Sequence, residues 1–498
     1  MTNLTQERVD TSAERPIPTL LNLRDGRLQG SLSGATLDII SPIEGKKIGQ
    51  IPLCSSADVD LAVANARRAY ESGVWTDMLP RERKAILRRW ADLVSKEAFD
   101  LAVLETIDMG MPVGVAVELE VANAVDTLYW YSELPDKLYD ELIQLEANVS
   151  AQICRMPLGV VGAILPWNAP AMIAAWKIAP ALVAGNSVVV KPSEEASLVV
   201  MRMAELALEA GIPSGVLEIV TGDGALGNAL ASHPDVDCLT FTGSSATGRK
   251  IMAAAANSNL KRVALELGGK SANVVFADTA NMAMCADYSV GFMFSNNGQV
   301  CEAPTRLLVQ RSAEAEFMQQ VLERVKSYKV GNPLNIDNDM GPIVNDRQYQ
   351  LVLDGLEKGL ADGASILHDG REMPGLPSGN YLGPSVALVD KSSGYLAQNE
   401  IFGPVLSVLL FDTVDEAIQI ANDSRYGLGA SVWSSNIDTV AKVTRKLVAG
   451  NINVNGGTGP TVELPFGGFK ESGFGRDRSI HAIDKYSDLK NIIIRSAG

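Results

Sequence analysis

One cysteine stands out by its neighbours. Phe294-Ser295-Asn296-Asn297-Gly298-Gln299-Val300-Cys301 ends a long apolar run in small and amide-bearing residues that present a single thiol. A free cysteine has a pKa near ~8.5 and is only a few per cent thiolate at neutral pH, yet it is intrinsically the strongest nucleophile among side chains. The pattern points to covalent catalysis through sulfur, against the ordinary use of a free cysteine as small hydrophobic filling. The other four, Cys54, Cys154, Cys238 and Cys285, are widely spaced with no C-x-x-C pair, so disulfides and structural zinc are not expected. Of the 3 histidines none lies near Cys301 in the chain or forms a metal or triad pattern, so no metal site is expected and the expected base is a carboxylate.

The elements that position this thiol have to be sought in 498 residues, enough for two or three domains and a large core. A net charge of −16 argues against nucleic acid as a partner, because phosphate binding needs clustered Lys and Arg. The opening Met1 to Pro16 is polar, and no later segment offers about 18 uninterrupted apolar residues, so neither a leader nor a membrane span is expected and a cytoplasmic location is. Ser55-Ser56-Ala57-Asp58 reads as a helix start with Val59, Val63, Ala66 and Tyr70 on one face and Gly73 as its stop. Pro80 opens a second helix with Ile86, Leu87, Trp90, Leu93 and Val94 at helical spacing, and a third runs to Gly110.

From Gly159 short β-branched runs alternate with helix-length segments: Val160 to Leu165, Val188 to Val190, Val216 to Val220, Cys238 to Phe241 and Val263 to Leu265. This is the pattern of a doubly wound parallel α/β sheet, which binds ligands beyond the carboxyl ends of its strands. Those ends deliver Pro166-Trp167-Asn168, Lys191-Pro192-Ser193-Glu194, Thr242-Gly243-Ser244 and Glu266-Leu267-Gly268-Gly269-Lys270. Helices begin soon after several of these turns, and their free N–H groups suit a dinucleotide pyrophosphate. Gly243 to Gly248 starts like a phosphate loop but continues with Arg249 where Lys is required, and no G-x-G-x-x-G follows the first strand, so neither a P-loop nor an ordinary Rossmann fingerprint is present. Past Gly269 a second α/β region follows, with Ala272 to Phe276, a long helix from about Thr279 to Asn296, Thr305 to Val309, and Val405 to Phe411.

Taken in order, Pro166-Trp-Asn168, Lys191-Pro-Ser-Glu194, Phe241-Thr-Gly-Ser244, Leu265-Glu-Leu-Gly-Gly-Lys270, Gly298-Gln-Val-Cys301, Glu400-Ile-Phe-Gly-Pro404 and Pro465-Phe-Gly-Gly468 resemble the motifs of the NAD(P)-dependent aldehyde dehydrogenase superfamily over roughly residues 30 to 495. The resemblance implies that family's α/β fold. It divides the chain into a cofactor domain, residues 1–138 and 159–268, a catalytic domain, 269–483, and an oligomerisation domain, 139–158 and 484–498. In the last, Tyr139 to Leu158 would pair with Leu489 to Arg495, whose exposed edge needs a partner, so a homodimer or homotetramer is expected.

The resemblance further implies oxidation of a small-molecule aldehyde through a Cys301 thiohemiacetal and thioester. Asn168 and the Cys301 N–H would hold the oxyanion, and Glu266 would activate the hydrolytic water. Lys191 and Glu194 are assigned to the adenosine ribose, Ser244 to the pyrophosphate and Glu400 to the nicotinamide ribose, with Leu165, Trp167, Ser193, Phe241, Gly243, Leu267, Gly268 and Phe402 completing the cofactor site. Glu194 would repel a 2′-phosphate, so NAD is expected over NADP.

The substrate tunnel is assigned Ala169, Trp176, Glu302, Pro460 and Phe466. Ala169 stands where many relatives carry a bulky aromatic, and Gly456-Gly457-Thr458-Gly459-Pro460 replaces an often aromatic loop, so a wider mouth for a bulky, aromatic or ω-amino aldehyde is inferred. Glu302 could meet a cationic tail or simply pair with Arg306. The motif Gly475-Arg-Asp-Arg-Ser-Ile-His481-Ala resembles the branch acting on amino-, guanidino- and γ-glutamylamino-aldehydes. The alternatives are a CoA-acylating semialdehyde dehydrogenase, against which Glu266 argues, and a non-enzymatic binding protein that retains the fold.

Overall fold

The computed structural model describes residues 4–457 and 459–496. Thr458, in the glycine-rich loop expected at the tunnel mouth, and residues 1–3 and 497–498 lie outside the described residues.

Five parallel strands, Val160–Ile164, Ser187–Lys191, Leu217–Ile219, Cys238–Thr242 and Arg262–Glu266, form the first sheet, as the alternating pattern predicts. A short antiparallel strand, Gly473–Phe474, is added beside Arg262–Glu266. The first strand in sequence lies at the centre of the order, between Cys238–Thr242 and Ser187–Lys191. The crossovers run outward in both directions from it, which opens a crevice beyond its carboxyl end.

The lead-in helices cover this sheet. Ser56–Glu71 starts at a capping box in which Ser55 and Asp58 satisfy each other's backbone N–H groups, and it buries Val59, Val63 and Ala66. The sequence suggested two helices between Pro80 and Gly110, but the structure has one, Pro80–Met109, of 30 residues. No glycine or proline interrupts it after its first residue, and Gly110 ends it in a left-handed conformation with φ 84°. No helix among the described residues is long and apolar enough to cross a membrane.

A second sheet has seven strands in the order Ser365–His368, Ser385–Leu388, Val405–Phe411, Arg306–Gln310, Ala272–Val275, Gly429–Trp433 and Asn451–Val454. All pairings are parallel except the first. The chain passes from Glu266, the end of the last parallel strand of one sheet, to Ala272, the first residue of the other, through a two-glycine step. The carboxyl ends of the first sheet therefore face the amino ends of the second, and Cys301, just ahead of Arg306–Gln310, belongs to the facing edge. The helix expected over Thr279 to Asn296 is shorter, Met282–Phe294. Thr279 is tied to the strand ends by donating to the Phe276 and Trp433 carbonyls, and Asn281 caps the helix instead.

A third sheet joins Glu141–Glu146, Val149–Pro157 and Ser487–Arg495, all antiparallel, with Val149–Pro157 in the middle. Ser487–Arg495 is left on an open edge, with Leu489 and Ile493 59% and 67% exposed.

Glycines make the contact between the first two sheets close. A Cβ on Gly269 would lie 2.4 Å from the Cys301 carbonyl oxygen, and one on Gly298 would lie 2.4 Å from the Gly403 carbonyl oxygen. Both neighbours are backbone and cannot swing aside. Gly269→Ala is expected to displace the thiol and lower kcat by roughly 10²-fold, as steady-state kinetics would show. Unchanged kcat would mean that the contact does not position Cys301.

Candidate active site

Two cavities meet at Cys301. One, of about 310 Å³, opens at the crevice of the first sheet and is lined by Trp167, Gly243, Ser244, Gly268, Glu400 and Phe402 among others. The second, of about 350 Å³, runs the other way between Trp176 and Phe466. Their walls share Asn168, Thr242, Glu266, Leu267 and Cys301. The three residues assigned to catalysis are thus brought together where a cofactor-sized cleft and a tunnel join.

The thiol is held by an unusual turn. Asn296, Asn297 and Gly298 are all left-handed, with φ of 46°, 59° and 71°. Asn tolerates this region better than other residues with a Cβ. Each side-chain amide is used as a tie. Asn296 Nδ2 donates to the Asn168 carbonyl at 2.9 Å, and Asn297 Nδ2 donates to the Pro342 carbonyl at 2.6 Å while its Oδ1 accepts from Gly341 N–H at 3.0 Å. Gln299 Oε1 accepts from Val344 N–H at 3.1 Å. Burial pushes the Cys301 thiol well above its ordinary range, and the nearby carboxylates of Glu302, Glu400 and Glu266 push it further.

Asn168 does not cap the helix Pro170–Val183 that follows it, whose N-cap residue is Ala169. Its Nδ2 donates to the Gln299 carbonyl at 3.0 Å, which fixes the amide orientation and leaves its second N–H available. Glu266 is buried, and its Oε2 has no hydrogen-bond partner among the described residues. Burial raises its carboxyl well above the usual range, as does the Asp477 carboxylate, while Lys177 and Lys485 oppose this. Gly467 packs so closely that a Cβ there would lie 2.8 Å from Glu266 Oε1.

Behind Glu266 is a buried ionic cluster that sequence reasoning missed. Lys177 Nζ donates to Asp477 Oδ2 at 3.0 Å and to Thr240 Oγ1 at 3.1 Å, and Lys485 pairs with the other Asp477 oxygen. Lys177 sits inside an apolar helical run and Asp477 in a loop some 300 residues later, so no local pattern signals the pair.

Of the residues assigned to the cofactor, Trp167, Gly243, Ser244, Leu267, Gly268, Glu400 and Phe402 line the cleft. Leu165 and Phe241 are buried beneath it, the latter with its ring against Gly243. Lys191, Ser193 and Glu194 stand at the end of the neighbouring strand, where Lys191 Nζ and Glu194 Oε2 pair at 2.7 Å. Glu400 Oε1 accepts from Gly269 N–H at 3.1 Å, and its carboxylate lies so close to Gly268 that a Cβ there would be 1.9 Å from Oε2. Trp167 and Phe402 meet edge to face at 5.3 Å. The helix Asp346–Ala361 also walls the cleft through Gln348 and Leu351, which no motif indicated.

Ala169, Trp176, Glu302, Pro460 and Phe466 all line the tunnel. Glu302 does not pair with Arg306, whose guanidinium is buried and donates to the carbonyls of Lys270, Ile420 and Ala421. Burial raises the Glu302 carboxyl, and the cation that acts on it is Arg478. Arg478 lies 5.0 Å from the Trp176 ring centroid and 4.8 Å from that of Phe466. Glu120 and Tyr288 are tunnel residues that the sequence did not single out, and Arg478, which lies in the tail motif, was given no tunnel role there.

The family model for the aldehyde dehydrogenase family matches residues 30–492. The chain belongs to that family and is an enzyme, an oxidoreductase acting on aldehydes. Aminoacetaldehyde dehydrogenase of Pseudomonas aeruginosa is 40% identical over 472 residues, 94% of this chain and 94% of that protein. Among solved structures, an indole-3-acetaldehyde dehydrogenase of P. syringae, in complex with NAD+ and IAA, is 43% identical with a TM-score of 0.96 over 99% of this chain and 100% of that one. A γ-glutamyl-γ-aminobutyraldehyde dehydrogenase from Burkholderia cenocepacia J2315 is 44% identical, with the same TM-score and coverage. The relatives thus include the branch named for amino- and γ-glutamylamino-aldehydes, as the tail motif suggests.

The raised Cys301 thiol leaves little thiolate in the cofactor-free protein. Alkylation of Cys301 by iodoacetamide should be slow near neutrality and still be accelerating at about pH 9, because rate follows the thiolate fraction. A rate that levels off by about pH 8 would contradict the raised value.

Proposed function

We propose that the protein oxidises an ω-amino aldehyde to its carboxylic acid by covalent catalysis at Cys301, with water as the acyl acceptor. NAD is its cofactor. The observation that carries this reading is the sharing of Cys301, Asn168 and Glu266 between the walls of a nucleotide-type cleft and a substrate-sized tunnel.

The cleft's residues suit a dinucleotide. The N-terminus of the helix Ser245–Ala256 opens beside the exposed Ser244, and Glu400 is packed onto the Gly268 backbone with no room for a side chain between them. When bound there, NAD supplies the acceptor for the hydride. The Glu194 carboxylate, at the end of the neighbouring strand, would accept from ribose hydroxyls and repel a 2′-phosphate. Cys301 gives up its thiol proton to solvent, its Sγ forms a bond to the aldehyde carbon, and the carbonyl electron pair moves onto oxygen. The free Asn168 N–H and the Cys301 backbone N–H donate to that oxyanion, where losing one such donor costs about 10²–10³ in rate. After oxidation the thioester is attacked by water while Glu266 takes the water's proton; the C–S bond breaks, and the acid leaves. With its carboxyl raised, Glu266 is ionised only at higher pH than an ordinary carboxylate, so deacylation speeds up as pH rises. Glu266 as an available base favours hydrolysis over transfer to CoA.

The ω-amino class rests on the relatives named for amino-aldehydes and on the tail motif shared with that branch. A second reading, an aromatic aldehyde, is favoured by the Trp176–Phe466 pair at 5.3 Å and by the relative named for indole-3-acetaldehyde. We read residues 1–138 and 159–268 as the cofactor domain, 269–483 as the catalytic domain and the remainder as the oligomerisation domain. Its open edge would seat a second copy in a cytoplasmic homodimer or homotetramer.

A panel of aliphatic, aromatic and ω-amino aldehydes with NAD tests the substrate class; higher kcat/KM for an unfunctionalised alkanal than for every ω-amino aldehyde would reject it. Glu266→Gln should give a burst of about one NADH per active site and then stall, since acylation survives and deacylation fails. Absence of a burst would mean that the roles are misassigned. Wild-type kcat/KM should favour NAD over NADP, and Glu194→Gln should narrow the ratio.

A further inference from the structure

The tunnel holds a cation that the reaction at Cys301 does not use. Arg478 is 5% exposed and lines the cavity that Glu302, Trp176 and Phe466 also line. Its backbone is left-handed, with φ of 59°, and so is that of Ser479, with φ of 52°. Such conformations are strained for residues with a Cβ, and they gather at functional sites. Here they are held by bonds on both sides. Phe466 and Asp477 exchange backbone N–H and carbonyl groups at 2.8 and 2.7 Å, Ser479 N–H donates to the Val462 carbonyl at 2.7 Å, and the Tyr131 hydroxyl donates to the Ser479 carbonyl at 2.9 Å. The result is a fixed bend that brings one guanidinium to the tunnel wall.

That guanidinium has no acceptor. It makes no hydrogen bond and no ion pair among the described residues, and Glu302, Asp477 and Glu266 act on it only through space. Asp477 is already taken by Lys177 and Lys485. What Arg478 touches is aromatic: its Cζ lies 5.0 Å from the Trp176 ring centroid and 4.8 Å from that of Phe466. Ring faces hold the charge but do not satisfy the in-plane N–H groups of the fork. Only Nε is fully shut in without a partner, which leaves the Nη groups to the cavity. A buried guanidinium lacking an acceptor is costly, and a planar carboxylate is the group that its fork matches.

We propose that Arg478 is an anion subsite of the tunnel: it takes the carboxylate of an ω-oxo acid, so that the same Cys301 chemistry converts an aldehyde acid to a dicarboxylic acid. The Nη groups donate side by side to the carboxylate oxygens, and the bond changes at the aldehyde end are those already described. A dianionic phosphate fits less well, because Glu302 and Glu266 line the same tunnel. Burial raises both of those carboxyls, which lessens their repulsion of a single negative charge. The inference goes beyond the ω-amino reading and does not depend on it, since it adds substrates of the opposite charge.

The test pairs each oxo acid with an uncharged aldehyde of the same shape, 4-oxobutanoate with 4-methylpentanal and 5-oxopentanoate with 5-methylhexanal, all with NAD. Arg478→Gln should lower the ratio of kcat/KM for the better oxo acid over its uncharged partner by ~10-fold or more, chiefly through KM for the acid, the loss expected for a charge-assisted hydrogen bond. Arg478→Lys keeps the charge without the fork and should recover part of the ratio. In wild type, which needs no variant to fold, butanoate should compete with 4-methylpentanal at a Ki ~10-fold or more below that of butanamide. An unchanged ratio in Arg478→Gln overturns the subsite, whether neither rate falls or both fall together; the second result would make Arg478 a counter-charge to Glu302 only. Equal inhibition by butanoate and butanamide, or no oxidation of either oxo acid by wild type, overturns it as well.

Discussion

The structure depends on one turn held against its own backbone preference. Asn296, Asn297 and Gly298 run consecutively in the left-handed region, which costs L residues roughly 1–2 kcal/mol each outside glycine. What holds them is a set of side-chain amides reaching to Asn168, Pro342 and Gly341, each bond worth about 0.5–1.5 kcal/mol net. The same ties join the nucleophile's loop to the end of the first sheet and to the loop before Asp346–Ala361. Cys301 is therefore not carried by a regular element. It is suspended between two sheets, and its position is only as good as those contacts.

Glycine explains why motifs so far apart in the chain act together. Gly269 touches the Cys301 carbonyl, Gly298 the Gly403 carbonyl, Gly268 the Glu400 carboxylate and Gly467 the Glu266 carboxylate. Each contact is between a residue without Cβ and a member of another motif. The motifs converge because their backbones can approach more closely than side chains would allow.

Electrostatically the centre is acidic. Glu266, Glu302 and Glu400 all raise the thiol, and burial raises each carboxyl in turn. Lys177 and Lys485 offset the charge on Asp477 behind Glu266, and Arg478 offsets Glu302 in the tunnel. The site thus favours a neutral thiol and a protonated base at rest. Reaction requires ionised forms that burial disfavours, a common arrangement at active sites.

The sequence by itself determined the parallel strands of the first sheet, the residues at their ends and the thiol, because these are written in local periodicity and in short glycine-bearing motifs. It also indicated the tunnel residues Ala169, Trp176, Glu302, Pro460 and Phe466. It misjudged the span Pro80–Met109, where no breaker divides two helical patterns, and the end of Met282–Phe294, where amide ties to distant backbone override helix propensity. Only the tertiary structure decided the pairing of Lys177 with Asp477 and the placing of Arg478, rather than Arg306, as the cation whose charge acts on Glu302. Such pairs are set by burial and by contacts between residues far apart in the chain, and a buried charge leaves no periodic trace in the sequence around it.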